Sequence, residues 1–181
     1  MTSTLIPGPD DIAATHDRPV PTPIAAAEDS QCISDLRRVD MFGDLAEEHL
    51  QWVLNHAECL NLENGDPLWI QGEPADAMFV VMTGQIQVIF EVSGQQVRLT
   101  SDKWGGVMGM LPYSRMTEYR GKSWAMGPSR VLQIRREHFA KMLYEIPELG
   151  YRLVALMSDR VREGTRYEQR REKMMALGKL S

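Results

Sequence analysis

The spacing of apolar residues changes character along the chain. From Ser34 onward, Leu36, Val39, Phe42 and Leu45 lead into AEEHLQWVLNHAECL, where Leu50, Val53, Leu54 and Ala57 recur at the spacing of one helix face. Two short helices are predicted there. The next section, NLENGDPLWIQGEPADAMFVVMTGQIQVIFEVSGQQVRLT, shifts to a period of two, with Ile86, Val88 and Phe90 set against Gln85, Gln87 and Ile89. Asn64-Gly65, Gly72, Pro74, Gly84 and Gly94 punctuate it with turns. Short strands joined by tight turns, with no helical crossover, predict a sandwich, roll or barrel rather than an α/β sheet. A further strand is expected over residues 130–134. Phe139, Met142, Leu143 and Ile146 then mark an amphipathic helix, and Pro147 restarts a long one through Leu149, Leu153, Leu156 and Val161.

Residues 1–33 lack any sustained period and hold Pro7, Pro9, Pro19, Pro21 and Pro23, so they are expected to form a mobile tail. The chain then divides into a mostly β domain with flanking helices over 34–146 and a C-terminal helix over 147–181. At 181 residues, 43% hydrophobic and 25% charged, it suits one globular domain with extensions. A net charge of −5 argues against a general polyanion binder, so any anion site must be local, and no direct nucleic-acid partner is expected. Cys32 and Cys59 have no metal-type spacing and read as buried small hydrophobes of a cytoplasmic protein. No stretch approaches the roughly 20 apolar residues that span a bilayer, and no membrane partner is expected. His49 and His56 lie seven apart, which is not the pairing of a helical metal site, and no metal is expected. No Ser/His/Asp pattern, phosphate-loop or HExxH motif occurs, and the chain is expected to catalyse no reaction itself.

LRRVDMF with Leu45, then Gly65, Leu68, QGEPADAMFVV, Gly84, the 105–109 loop, Arg120 and REHFAKMLYEIPEL together resemble a cyclic-nucleotide-binding domain, the β-roll of catabolite-activator proteins. The resemblance spans about residues 34–161. It implies a jelly-roll-like fold and a ligand site in the glycine-rich loop. In such domains a Phe-Gly-Glu-Leu-Ala run opens a short helix whose amides receive a cyclic phosphate. Its Glu takes the ribose hydroxyl, and an Arg about ten residues on pairs with the phosphate. Here the run reads MGMLP: Gly109 and Leu111 fit and Arg120 matches the arginine, but Met110 stands where the Glu belongs and Pro112 replaces the Ala. A methionine cannot accept that bond, whose loss costs about 1.5–3 kcal/mol, and Pro112 supplies no amide. Against this, Arg115, Arg120 and Lys122 crowd one loop, with Gly109 and Gly121 allowing close backbone approach. These residues are the candidate contacts for a cyclic nucleotide or another phosphate-bearing anion. Tyr113, Tyr119 and Trp124 are candidates to stack on a base, or to pack in the core.

The last stretch, SDRVREGTRYEQRREKMMALGKLS, is dense in charge, with opposite charges paired three apart at Asp159 and Arg162, Glu163 and Arg166, and Glu168 and Arg171. A lone helix of this kind needs a partner, and a homodimer through residues 147–181 is expected. Its ending, QRREKMMALGKLS, resembles the segment leading into the dimerisation helix of sensor histidine kinases. The leading expectation is therefore a sensory module that relays ligand state to a kinase in two-component signalling. The alternatives are a ligand-less dimerisation or docking platform, and a catabolite-activator-like regulator without its DNA-binding part.

Overall fold

In the computed structural model, which describes residues 18–180, two antiparallel sheets face one another. The first runs in the order β1 (Thr22–Pro23), β2 (Glu58–Leu62), β9 (Ser129–Arg135), β4 (Ala77–Thr83), β7 (Val107–Gly109). The second runs β3 (Pro67–Trp69), β8 (Lys122–Ala125), β5 (Ile86–Val92), β6 (Gln95–Thr100). Every pairing of these strands is antiparallel, as in a β-roll without helical crossovers.

The strand AMFVVMT, β4, is buried through six of its seven residues. One face looks across to the second sheet, where Phe79 stacks near Trp69 with ring centroids 5.7 Å apart. The flanking helices α1 (Asp29–Leu36) and α2 (Glu47–Asn55) bury Leu36, Leu50, Val53 and Leu54 in the same core as β4, which is why β4 is apolar on both sides. At the open edge, β6 is exposed or half-buried throughout and reads as a polar hairpin arm.

Three differences from the sequence pattern have local causes. First, β7 and β8 fall within the stretch read as loop; each is three or four residues long, too short to show a period. Second, α1 begins at Asp29, so the helical entry starts before residue 34. Third, of the stretch expected as a tail, residues 1–17 lie outside the described residues, while Thr22 and Pro23 pair with Glu58 and Cys59 at the edge of the first sheet. Arg18 also pairs with Glu73.

The chain leaves the roll through α3 (Phe139–Glu145) into α4 (Pro147–Gly178), with Pro147 in the first turn where its missing N–H costs nothing. Leu149 and Leu153 anchor α4 in the core, and Arg152 donates to the Met41 carbonyl at 2.9 Å while pairing with Asp44. Beyond this anchored portion the helix is largely exposed.

Candidate ligand-binding site

Gly109 ends β7 with φ +77°, and a Cβ there would lie 2.7 Å from the Phe79 ring and 2.8 Å from the Ala77 carbonyl. Only glycine fits this approach. The Met110 amide then donates to the Ala77 carbonyl at 2.9 Å, and its side chain is turned into the core with 3% exposure. Leu111 to Ser114 form a β-turn closed by the Ser114 amide on the Leu111 carbonyl at 3.0 Å. Pro112 fixes the first corner and Tyr113, at φ +62°, takes the left-handed second corner of a type II turn. The short helix that the resemblance implies after Gly109 is therefore not formed, and residues 110–121 contain no helical turn. Tyr113, at φ +62°, is in the left-handed region and cannot continue a right-handed helical turn there.

Beyond the turn, Tyr119 ties the loop to β4. Its hydroxyl donates to the Ala77 carbonyl at 3.1 Å and accepts from the Ala77 amide at 3.3 Å. Burial pushes this phenol up to about 12, against the smaller opposing effect of its bond to Ala77. Its ring stacks on Trp69, centroids 5.0 Å apart and planes 21° from parallel.

Between this loop, the second sheet and α4 lies a cavity of about 300 Å³. From the roll it is lined by Trp69, Val88, Gly109, Leu111, Ser114, Met116, Tyr119 and Arg120, and from α4 by Met157, Arg160 and Val161. Arg160 donates to the Val107 carbonyl and so ties α4 to β7. Burial pulls its guanidinium down to about 10, with Glu163 acting weakly the other way. Among the described residues no carboxylate lines the cavity; its polar groups are two guanidiniums, the Ser114 hydroxyl, the Tyr119 phenol already engaged with Ala77, and the Trp69 indole.

Of the residues singled out in the sequence, Gly109, Leu111 and Arg120 come together on this cavity. Met110 faces the core, and Arg115 is exposed on the loop away from the lining. Gly121 is buried against β5, where a Cβ would sit 2.1 Å from the Ile89 carbonyl; its glycine serves strand packing. Lys122 follows it as the first residue of β8, opposite Ile89, and does not line the cavity. Tyr113 is 86% exposed, and Trp124 packs with Ile89 in a separate small cluster. Tyr119 alone of the three aromatic candidates lines the cavity.

Sequence reasoning missed Trp69, Met157 and Arg160. Arg160 sits in a charge-dense run that reads as solvated surface. A signal was present, since 149, 153, 156 and 160 form one stripe at helical spacing, and Arg160 continues the face that buries Leu149 and Leu153. His56 stacks on Trp52 at 3.8 Å with His138 edge-on at 5.4 Å, and no group of three metal-type ligands occurs among the described residues. Cys32 and Cys59 are buried free thiols, and burial raises Cys32 while Arg130 donates to its sulfur at 2.8 Å. No described helix is long and apolar enough to cross a membrane.

The two sheets and the helix that follows them form a β-roll with a long C-terminal helix, the fold of catabolite activator proteins, and residues 59–145 match the model of the cyclic nucleotide-binding domain family. Among curated proteins, the chain is 23% identical to the cyclic AMP receptor protein of Thermus thermophilus over 124 residues, covering 68% of this chain and 57% of the relative. It thus spans little more than half of that relative's length. Among solved structures, the cAMP-binding acyltransferase of Mycobacterium smegmatis aligns with a TM-score of 0.60 at 22% identity, over 77% of this chain and 43% of the other. The sensor domain of the transcriptional regulator DNR from Pseudomonas aeruginosa aligns with a TM-score of 0.57 at 21% identity, over 76% and 93% respectively.

Proposed function

We propose that this chain is a regulatory sensory module: its roll binds a small anionic, phosphate-bearing ligand, and α4 relays occupancy to a partner domain. The observation that carries this is the shared cavity, with Gly109, Leu111 and Arg120 contributed by the roll and Met157, Arg160 and Val161 by the output helix. A ligand touching both sides has different affinity for different placements of α4, which is the requirement for shifting a conformational equilibrium. Arg120 supplies the charge-assisted contact to the anion. The module works as a homodimer through α4, whose Tyr151 and Val154 are 79% and 66% exposed. It acts by binding and performs no reaction of its own.

The partner domain is proposed to be a histidine kinase on the strength of the ending QRREKMMALGKLS alone. A DNA-reading partner is the second reading, favoured by the likeness to a transcriptional regulator's sensor domain. Calorimetric titration with cAMP, cGMP and phenyl phosphate, on the wild type and on Arg120→Ala, tests the ligand site. Saturable heat from at least one compound, weakened tenfold or more by the substitution, is expected. Silence from all three at millimolar concentration, or heat indifferent to Arg120→Ala, overturns the proposal.

A further inference from the structure

The side chains that hold α4 to the roll lie in its first half. Leu149 and Leu153 are buried in the core, and Arg152 is held by the Met41 carbonyl and Asp44. Leu156 packs close to Gly105, where a Cβ would lie 3.4 Å from its Cδ1. Half-buried Arg160 then donates to the carbonyl of Val107 on β7, the edge strand of the first sheet, and residues 161–170 are all exposed. Burial disfavours the Arg160 cation and holds it at about 10, so desolvation of the guanidinium offsets part of what this bond contributes. One turn further on stands Gly164, with nothing within 4 Å of the place a Cβ would take. Neither crowding nor a left-handed backbone calls for glycine there, and glycine is a poor helix former.

Resting on the sensory reading above, we propose that Arg160 is a latch that holds the 157–164 segment of α4 over the cavity, and that Gly164 is the joint at which this segment opens. Arg160 acts as a positioning residue, through the helix it fixes. Met157 and Val161 ride on the same segment and line the cavity, so its opening withdraws two walls together. Latch and cavity also share one strand, since Val107 receives Arg160 and Gly109 lines the cavity. The opening is local: Leu149 and Leu153 stay in the core upstream, and Gly164 lowers the cost of breaking the helix downstream. A ligand that touches Met157 or Val161 favours the closed segment, which gives ligand occupancy a defined structural readout.

Hydrogen exchange of the ligand-free chain at one protein concentration, on the wild type, Arg160→Met, Arg160→Lys and Gly164→Ala, tests this. Arg160→Met keeps an apolar stem and loses the donor. It is expected to speed exchange over residues 157–164 about tenfold or more, while β4 and residues 149–153 exchange as in the wild type. Arg160→Lys can still donate to the Val107 carbonyl and recovers part of that protection. Gly164→Ala slows exchange over the same segment several-fold. Wild-type exchange over 157–164 in Arg160→Met, or faster exchange spread equally through α4 and the roll, overturns the latch. Exchange in Gly164→Ala no slower than in the wild type overturns the joint. Should Arg160→Met not fold, the other two variants decide, and wild-type exchange in both overturns the proposal. No ligand is used, so a failure here leaves the Arg120-dependent titration to decide the sensory reading by itself.

Discussion

Met110 and Tyr119 show how two residues of one loop take structural rather than ligand roles. Met110 occupies the place where the related pattern carries a ligand-binding Glu, but here the side chain belongs to the core and the amide to Ala77. Restoring the carboxylate with Met110→Glu therefore buries an unpaired charge. A stability loss on the order of 3 kcal/mol or more in denaturant melts is expected, with no gain in cAMP affinity. A stable variant with tighter cAMP binding would instead place residue 110 at the ligand. Tyr119 carries its phenol neutral, its pKa raised chiefly by burial from the usual value near 10 to about 12. Because the folded state holds this proton more tightly, the contribution is complete below about pH 10 and is lost as pH rises through about 12. Arg160, lowered to about 10, works in the opposite sense over part of that range, so the comparison must be between wild type and Tyr119→Phe. The variant is expected to be about 1 kcal/mol less stable at pH 7, with the gap narrowing between pH 10 and 12. A gap that does not change over that window would contradict the assignment.

The turn at 111–114 and the helix α4 are the elements that shape the pocket, and they differ in how openly the sequence declared them. The long helix was legible from Pro147 and the stripe at Leu149, Leu153 and Leu156, and it was found over Pro147–Gly178. The turn was half legible: Pro112 signalled the missing amide, but a left-handed Tyr113 has no signature in sequence, since tyrosine seldom takes that conformation. What covers the outer face of α4 follows from the helix itself. Tyr151 and Val154 lie about one turn apart and stay exposed, and a helix this polar in its second half gains little from propensity alone. Sedimentation of the wild type is expected to give a dimer, and Tyr151→Asp with Val154→Asp a monomer with the roll still folded. A wild-type monomer at every concentration would count against dimerisation through α4.

Taken whole, the roll was readable because its strands alternate and its turns carry glycine, whereas the pocket was readable from one side only. Gly109, Leu111 and Arg120 are neighbours along the chain and could be grouped by spacing. Met157, Arg160 and Val161 lie about 40 residues further on, and only the return of α4 across β7 brings them to the same cavity. The aromatic wall has the same origin, since Trp69 and Tyr119 meet only when the second sheet closes against the 110–121 loop. Local pattern specifies elements, but a site shared by distant elements depends on how they pack. That arrangement gives the molecule its proposed mechanism, in which the pocket is filled by a ligand and emptied by a change in where α4 rests. Hydrogen exchange across residues 153–163, measured with and without saturating ligand on the wild type and on Arg120→Ala, examines that coupling. Altered protection of these α4 amides on ligand addition, absent in Arg120→Ala, is the predicted result; ligand that binds through Arg120 yet leaves exchange in α4 unchanged would contradict it.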